Sequence, residues 1–315
     1  MGYKVLIPQD VNAAGKDYLR ERGYELKVLS DSSPENICAN ITDCDAILGR
    51  SGKYPRCVFE AGKKLKVFAK HGVGIDDIDL AAAKEYGVIV TNTPEANSNS
   101  VAEHTIGMML ACAQNLVQQD RRIRGGEFQS VRVEPTLEVA GNTIGLIGFG
   151  TIARAVAKKA ALGLDMKVLA YNHHIIADLP EYTRQVSLEE LLRSSDVVSL
   201  HCPCNNETRG MINKEALEMM KPTAILLNFA RGGIIDEEAL YKVLNDHKIF
   251  MAGIDSFSHE PTTAEEPLFT LKNIIVLPHV GGQSKIAADK MSLHSAMCID
   301  DVLSGREPRW ILYNI

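Results

Sequence analysis

Short apolar runs alternate with helical patterns along the whole chain, and this alternation constrains the fold more than any other feature of the sequence. A buried strand followed by a helix, repeated many times, is typical of βαβ units that build a parallel sheet with helices on both faces. The sequence therefore predicts an α/β protein with two doubly wound parallel-sheet lobes. The predicted strands are Tyr3–Ile7, Glu25–Leu29, Asp45–Leu48, Leu65–Ala69 and Val88–Thr91 in the first half, and Thr143–Ile147, Met166–Tyr171, Asp196–Leu200, Ala224–Asn228, Met251–Ile254 and Ile274–Leu277 in the second.

Capping signals mark where several of the intervening helices begin. Ser100 with Glu103, and Ser187 with Glu190, have the spacing of a capping box, in which two side chains satisfy each other's backbone amides. Asp236 is placed to cap the helix that follows it. These positions predict helices in the connections between strands.

Two long helices indicate where one lobe ends and the other begins. The first is predicted from Ser100 to about Gln119, and an irregular segment then reaches Ala140. The final helix, Ser284 to about Leu303, follows the sixth strand of the second half, where a six-stranded dinucleotide-binding sheet would already be complete. We therefore expect that helix to return to the first lobe. The predicted domains are residues 1–99 with 285–315, and residues 100–284.

Charge and hydropathy exclude several classes of protein. The chain has 34 Lys and Arg against 40 Asp and Glu, a formal net charge of −6, and no basic run, so we expect no nucleic-acid partner. Its longest nearly unbroken apolar stretch, Thr105–Ala113, is far shorter than the roughly 20 residues of a bilayer span, so no membrane insertion is expected. The N-terminus lacks the pattern of a signal peptide, which predicts a cytoplasmic protein. The seven cysteines are expected to be reduced thiols, and no metal site is predicted.

A glycine-rich turn follows the strand Thr143–Ile147. Gly148 and Gly150 with Ala153 form G-x-G-x-x-A between a strand and a helical pattern. The first glycine permits a tight turn, the second lets a pyrophosphate approach the backbone, and the small third residue lets helix and strand pack closely. The pattern predicts a dinucleotide, NAD or NADP, bound at the helix N-terminus. The alternative is a tight turn that binds no ligand.

The residue at the end of the second strand of this lobe bears on the choice of coenzyme. An NAD site usually has a carboxylate there, which accepts hydrogen bonds from the adenine ribose, whereas this chain has Asn172. Asparagine does not repel a 2′-phosphate, and His173 or His174 is the nearest source of positive charge. We therefore expect NADP to be slightly favoured over NAD. The alternative for the two histidines is that they are exposed loop residues without a ligand.

Three segments at strand ends of the second lobe carry an arginine, a carboxylate and a histidine. Ligands bind at the carboxyl ends of strands in open α/β sheets. Arg231 could hold a substrate carboxylate, Glu260 could orient a histidine, and His279 could donate a proton. Each also has a structural alternative: an ion pair of Arg231 with Asp236 or Glu237, a surface carboxylate, and a core histidine.

The ordered motifs of this chain resemble the D-isomer-specific 2-hydroxyacid dehydrogenase family. The resemblance covers nearly the full chain, from Gly72–Asp79 through Thr93–Asn97 and Ser100–His104 to the three strand-end segments. It implies a Rossmann dinucleotide-binding lobe inserted into a discontinuous, flavodoxin-like substrate lobe. It also implies hydride transfer between NAD(P) and a small anionic D-2-hydroxy or 2-keto acid of glyoxylate, hydroxypyruvate or phosphoglycerate type. The alternative is a non-catalytic, dinucleotide-sensing protein similar to transcriptional corepressors.

The resemblance also implies roles for individual residues. Arg231, Glu260 and His279 correspond to the catalytic set, and Asp255 to the residue that touches the nicotinamide. The expected cofactor-binding residues are Gly148, Gly150, Thr151, Ile152, Asn172, His173, Cys202, Phe229, Ala230, Arg231, Asp255, His279 and Gly281. The expected substrate-binding residues are Arg50, Ser51, Lys70, Gly72, Val73, Gly74, Asn97, Arg231 and His279.

Two further hypotheses concern the substrate and a second copy of the chain. Arg50 and Lys70 are expected to pair with a second anionic or strongly polar group of the substrate, unless they are merely solvated. A homodimer is expected, because the irregular segment before Ala140 has apolar side chains that need a covering surface. Those side chains are Phe128, Val131, Val133 and Leu137. No role is predicted for His71, His104, His201, His247, His259 and His294.

Overall fold

The computed structural model describes residues 2–131 and 136–312. The chain divides into two compact units, each with its own parallel sheet. We call Met1–Ser98 with Gln283–Ile315 the terminal unit, and Asn99–Gly282 the central unit. Two parallel-sheet α/β units confirm the predicted fold class.

The terminal unit has strands in the order β2-β1-β3-β4-β5 within the described residues, which is the flavodoxin-like order. Its strands are β1 (Lys4–Ile7), β2 (Glu25–Val28), β3 (Ala46–Gly49), β4 (Val67–Lys70) and β5 (Ile89–Thr91). Its helices are α1 (Ala13–Glu21), α2 (Pro34–Asn40), α3 (Arg56–Ala61), α4 (Leu80–Glu85) and α12 (Lys285–Leu303).

Helix α12 packs against α1 and β4 of the terminal unit. The closest approach of the two helices is at Gly15, where a Cβ would lie 2.2 Å from the carbonyl oxygen of Ser292. Ser284 caps α12, because its side chain accepts a hydrogen bond from the amide of Ala287. This packing brings residues from the two ends of the chain into one apolar core.

The central unit has strands in the order β12-β11-β10-β9-β6-β7-β8 among the described residues, so the dinucleotide-binding order is extended by one strand. Its strands are β6 (Thr143–Ile147), β7 (Lys167–Tyr171), β8 (Thr183–Gln185), β9 (Val197–Leu200), β10 (Ile225–Asn228), β11 (Met251–Ile254) and β12 (Ile274–Val276). Its helices are α5 (Ser98–Ala113, which begins one residue before the unit), α6 (Leu116–Arg124), α7 (Phe128–Val131), α8 (Thr151–Leu164), α9 (Leu188–Ser194), α10 (Lys214–Met219) and α11 (Glu237–Asn245). Single 3-10 turns lie at Gly232–Ile234 and Pro267–Thr270.

Every predicted strand is present, but β8 is an additional one. Its sequence, Thr-Arg-Gln, is short and polar. Because an edge strand pairs with one neighbour only, it does not need the continuous apolar run by which the other strands are predicted. Ser187 and Asp236 cap their helices as predicted. The capping box at Ser100 is wrong, because α5 already begins at Ser98 and the Ser100 hydroxyl donates to the carbonyl of Gly281.

The long helix predicted from Ser100 to Gln119 is also interrupted. Asn115 adopts a left-handed backbone with φ of 53°, which asparagine tolerates better than most residues, and α6 begins after it. Of the apolar side chains expected in the irregular segment, Phe128 is 56% exposed, whereas Leu137 packs against the core of the central unit. Val133 and the side chain of Val131 lie outside the described residues. No helix in the described parts of the chain has the length and apolar character needed to cross a bilayer.

Candidate functional site

The turn between β6 and α8 has the geometry of a phosphate-binding turn. Gly148 has φ of 82°, and a Cβ there would lie 2.8 Å from the backbone of Cys202, so only glycine fits. Gly150 precedes α8, and a Cβ at that position would meet no atom within 4 Å. Ala153 is fully buried against the sheet. The open space at Gly150, in front of the first amides of a 14-residue helix, fits the pyrophosphate of a dinucleotide.

Asn172 directly follows β7, where the sequence placed it at the ribose position. The neighbouring loop is anchored by Gln185 of β8, which donates to the carbonyl of His174 and accepts from the amide of Ile176. His173 is exposed, and its Nδ1 lies 3.8 Å from Oε2 of Glu207. The sequence did not predict Glu207, because it approaches from a different connection of the sheet. Its carboxylate offsets positive charge that His173 would offer to a 2′-phosphate.

Glu260 and His279 form a hydrogen-bonded pair. The distance from Nδ1 of His279 to Oε2 of Glu260 is 2.8 Å, and the other carboxylate oxygen of Glu260 accepts from the amide of Phe257 at 2.9 Å. Burial raises the pKa of Glu260, but the hydrogen bonds from His279 and Phe257 outweigh it and hold that pKa below its usual value. An ionised Glu260 orients the imidazole and leaves its Nε2 for another partner.

Asp255 holds the backbone immediately after His279. This buried carboxylate accepts from the amides of Val280 and Gly281 at 2.8 and 2.9 Å. Burial raises the pKa of Asp255, and the two amide hydrogen bonds partly oppose that rise. His279 itself has a left-handed backbone with φ of 54°, a costly conformation for a residue with a Cβ. The two hydrogen bonds to Asp255 therefore help to maintain a strained histidine in one orientation.

Arg231 follows β10 and lies in a turn built around Asn228. The Asn228 side chain donates to the carbonyl of Arg231 and accepts from the amide of Ala230. Nη1 of Arg231 donates to the Ala230 carbonyl at 2.8 Å. Of the two carboxylates considered as its structural partners, Asp236 caps α11, and Glu237 accepts from the amide of Ser258.

The turns that carry Arg231 and Glu260 are in direct contact. A Cβ on Gly232 would lie 1.9 Å from the backbone carbon of Phe257, so the close approach requires glycine. The central unit thus brings together the predicted residues Arg231, Glu260 and His279 at the carboxyl ends of adjacent strands.

The ring of Phe229 lies against that of His104, with ring centroids 5.6 Å apart.

The glycine-rich turn of the terminal unit presents two backbone donors. Gly72 has φ of 131°, its amide donates to the Thr93 hydroxyl, and its carbonyl accepts from the Thr93 amide. The Asn92 side chain donates to the carbonyl of Val73. Within the described residues, the amides of Val73 and Gly74 have no acceptor, and they are therefore available to an anion. The amide of Gly72 is engaged by Thr93, and substrate binding by Gly72, Val73 and Gly74 stays a prediction.

The other predicted substrate residues of the terminal unit have unequal surroundings. Arg50 donates to the Asp10 carbonyl and the Gln283 side chain, both at 3.4 Å. The amide of Ser51 donates to Gln9 at 3.3 Å. The side-chain oxygen of Asn97 is buried without a hydrogen-bond partner among the described residues.

Lys70, an expected substrate-binding residue, has a charged partner within the terminal unit, and its contact with substrate stays a prediction. It is 7% exposed and forms an ion pair with Asp77, a residue that the sequence did not single out as its partner.

In the described parts of the chain, no group of three His, Cys, Asp or Glu side chains could hold a metal ion.

A dinucleotide-binding turn together with a carboxylate-oriented histidine defines a coenzyme-dependent α/β protein with a site for acid–base chemistry. Residues 106–281 match the family model described as the D-isomer specific 2-hydroxyacid dehydrogenase, NAD binding domain. The chain belongs to the D-isomer specific 2-hydroxyacid dehydrogenase family. This confirms the resemblance, and it supports NAD or NADP as the coenzyme.

Individual relatives agree with this family. The chain is 40% identical over 297 residues to a hydroxypyruvate reductase from Thermotoga maritima, covering 92% of this chain and 95% of the relative. It is 37% identical over 305 residues to a D-3-phosphoglycerate dehydrogenase from Archaeoglobus fulgidus, covering 96% of this chain but only 58% of that relative. The chain therefore spans little more than half the length of that phosphoglycerate dehydrogenase.

A solved structure extends the comparison to a bound coenzyme. The NADPH-dependent glyoxylate/hydroxypyruvate reductase from Sinorhizobium meliloti, in complex with NADP and malonate, is 26% identical with a TM-score of 0.89, covering 99% of this chain and 97% of that chain. All three relatives are named as reductases or dehydrogenases. The comparisons therefore do not support the alternative of a non-catalytic corepressor.

Proposed function

We propose that the protein reduces a small 2-keto acid to the D-2-hydroxy acid, and catalyses the reverse oxidation, with NAD(P) as the hydride carrier. The observation that carries this proposal is the 2.8 Å hydrogen bond between Glu260 and His279, on a backbone that Asp255 holds in place. A nicotinamide supplies the hydride for C2 of the keto acid or accepts it from the hydroxy acid. The chain itself has to bind the acid and move one proton.

Each of these tasks has a candidate residue. In reduction, protonated His279 donates its Nε2 proton to the oxygen on C2 as negative charge develops there, and ionised Glu260 stabilises the imidazolium. Arg231 binds the substrate carboxylate through its guanidinium and polarises the carbonyl. The amides of Val73 and Gly74 are donors of the kind that a carboxylate requires.

The decisive experiment replaces His279 by asparagine. Asparagine is chosen because it tolerates the left-handed backbone of this position. His279→Asn should lower kcat for glyoxylate or hydroxypyruvate reduction by about 100-fold or more, the low end for loss of a positioned proton donor, while NADPH binding persists. His247→Asn is the matched control, because His247 is exposed and has φ of 53°. Near-native turnover of His279→Asn would refute the assignment.

Asn172 supports acceptance of NADPH alongside NADH. It follows β7 and carries no charge that would repel a 2′-phosphate. The preference for NADPH is modest, because Glu207 lies 3.8 Å from His173 and opposes binding of a further anion. Glu207→Gln should therefore raise the preference for NADPH, as measured by kcat/KM with each coenzyme. An unchanged preference would show that the His173 loop does not contact the 2′-phosphate.

A homodimer through the central unit is also proposed, with α6 and α7 at its interface. Leu116, Ile123 and Phe128 are 53%, 41% and 56% exposed on these two helices, and large apolar side chains in that state favour a covering surface. Sedimentation at micromolar concentration should show a dimer, and a monomer of 34.5 kDa would contradict the proposal. A cytoplasmic location stays a prediction from the sequence.

A further inference from the structure

The glycine-rich turn of the terminal unit is bordered by side chains whose charges decide which substrates it can accept. Gly49 and Lys70 are register partners at the ends of β3 and β4, and the amide of His71 donates to the Gly49 carbonyl at 2.8 Å. Arg50 and His71 therefore leave the carboxyl ends of two neighbouring strands, close in sequence to Val73 and Gly74, whose amides have no acceptor among the described residues. Carboxyl ends of strands are where sheets of this kind bind ligands.

Lys70 brings little net charge to this edge of the sheet. Its ammonium group is paired with the carboxylate of Asp77, and the side chains of the two residues are 8% and 24% exposed. The backbone of Asp77 is held as well, because its carbonyl accepts from the amide of Tyr54 at 2.7 Å. A second anion that approached Lys70 would be repelled by Asp77 at similar range.

His71 brings no positive charge either. Burial, reinforced by the positive charge of Arg50, lowers the pKa of His71 to about 4. The ring is therefore neutral at physiological pH. Its Nε2 is buried without a hydrogen-bond partner in the parts of the chain that the structure describes.

Arg50 differs from both of these neighbours. It donates to a backbone carbonyl and to an amide side chain, both uncharged, and both distances are 3.4 Å. Hydrogen bonds of this length are weak, so the guanidinium can exchange them for a substrate oxygen. No carboxylate of the described residues forms an ion pair with Arg50. Among these three side chains, which are Arg50, Lys70 and His71, Arg50 therefore offers the uncompensated positive charge.

We propose that this edge selects 2-keto acids that carry hydrogen or a neutral hydroxyl beyond the carbonyl, and rejects acids that carry a phosphoryl group there. The inference rests on the proposed function and narrows its substrate class. A phosphoryl group carries a charge of about −1.5 to −2 near pH 7 and is usually bound by several cationic or amide donors. A hydroxyl needs a single donor, which Arg50 supplies. Overall similarity does not decide between the two classes, since identities to relatives of both names are 37% and 40%.

The first test uses the unmodified protein. Its kcat/KM should be at least about tenfold higher for hydroxypyruvate than for 3-phosphohydroxypyruvate, with either NADH or NADPH, because Asp77 repels a phosphoryl group that approaches Lys70 and His71 offers it no positive charge. Equal or better use of the phosphorylated acid would overturn the inference and leave the proposed function intact. Failure to reduce hydroxypyruvate, 3-phosphohydroxypyruvate and glyoxylate alike would overturn the proposed function, and this inference with it.

The second test removes the charge that offsets Lys70. Asp77→Asn should shift the ratio of the two kcat/KM values towards the phosphorylated acid by about fivefold or more, because Lys70 then becomes an additional cation. Asp43→Asn is the control, since Asp43 is ion-paired with Lys4 at 2.7 Å and precedes β3 at the opposite end of that strand. An unchanged ratio in folded Asp77→Asn, or an equal shift in Asp43→Asn, would refute the argument. If Asp77→Asn does not fold, the ratio measured for the unmodified protein decides the matter.

Discussion

Glu260→Gln tests how the carboxylate acts on His279. Glutamine keeps the size and shape of glutamate but removes the negative charge that faces the imidazole at 2.8 Å. If the negative charge of Glu260 stabilises the imidazolium during the reaction, its loss should lower kcat/KM. If Glu260 only fills space, kcat/KM should stay close to that of the unmodified protein.

The size of the effect follows from the geometry of the pair. Hydrogen bonds to charged groups contribute about 1.5–3 kcal/mol when they are well formed. The side chains of His279 and Glu260 are 45% and 37% exposed, so water screens their interaction and the low end of that range applies. A loss of about 1.4 kcal/mol corresponds to about a tenfold fall in kcat/KM.

The assay compares kcat/KM for reduction of hydroxypyruvate at neutral and at acidic pH. Because the pKa of Glu260 is held below its usual value, the carboxylate is charged at neutral pH and loses its charge as the pH falls through that pKa. Glu260→Gln should therefore lower kcat/KM about tenfold at neutral pH and by less at acidic pH, where the unmodified protein has lost the same charge. A loss of alignment would instead lower kcat/KM equally at both pH values.

Glu237→Gln serves as the matched control for this measurement. Glu237 is a half-buried carboxylate that accepts from the amide of Ser258, and burial raises its pKa. It undergoes the same chemical change near the same segment without touching His279. An unchanged kcat/KM in Glu260→Gln, a loss of the same size at both pH values, or an equal loss in Glu237→Gln would refute the proposed role of Glu260.

Two other variants test the coenzyme site and a structural carboxylate. Asn172→Asp should lower the ratio of kcat/KM for NADPH over NADH about tenfold, or ~1.4 kcal/mol of repulsion, and an unchanged ratio would show that Asn172 is not at the ribose. Burial raises the pKa of Asp300, but hydrogen bonds from Tyr24 and Arg306 outweigh it and hold that pKa below its usual value. Its contribution to stability is therefore present above pH ~4 and lost as the pH falls through the depressed pKa. Asp300→Asn should lower the free energy of unfolding by about 1–3 kcal/mol at pH 7 and by less at pH 3. Unfolding can be measured by the fluorescence of Trp310. An equal loss of stability at both pH values would contradict the argument.

Backbone sterics and local periodicity made much of the fold predictable. The buried strands are continuous apolar runs, and Gly148 in the cofactor turn marks a place where a Cβ would strike the backbone of Cys202. Ser187 and Asp236 act within their own helical turn, so their capping is visible in a few consecutive residues. The sequence does not predict the polar edge strand β8, which lacks an apolar run. It does not predict the break at Asn115 either, because the helical pattern continues on both sides of that residue.

The catalytic pair was predictable in a different way. The sequence predicts Glu260 and His279 as catalytic residues because each follows a strand and because their motifs occur in the order of a known family. Neither argument shows that the two side chains touch. Only the structure shows the 2.8 Å hydrogen bond, and only the structure shows that Asp255 holds the next two amides.

What the sequence alone determined is therefore the fold class, the coenzyme turn and the types of side chain delivered to the strand ends. Only the tertiary structure decided which charged side chains form ion pairs. The ion pair of Lys70 with Asp77 and the position of Glu207 beside His173 do not follow from the sequence. The physical reason is that strand and turn formation depend on neighbours along the chain, whereas the net charge of a site depends on side chains that the folded backbone brings together from separate turns.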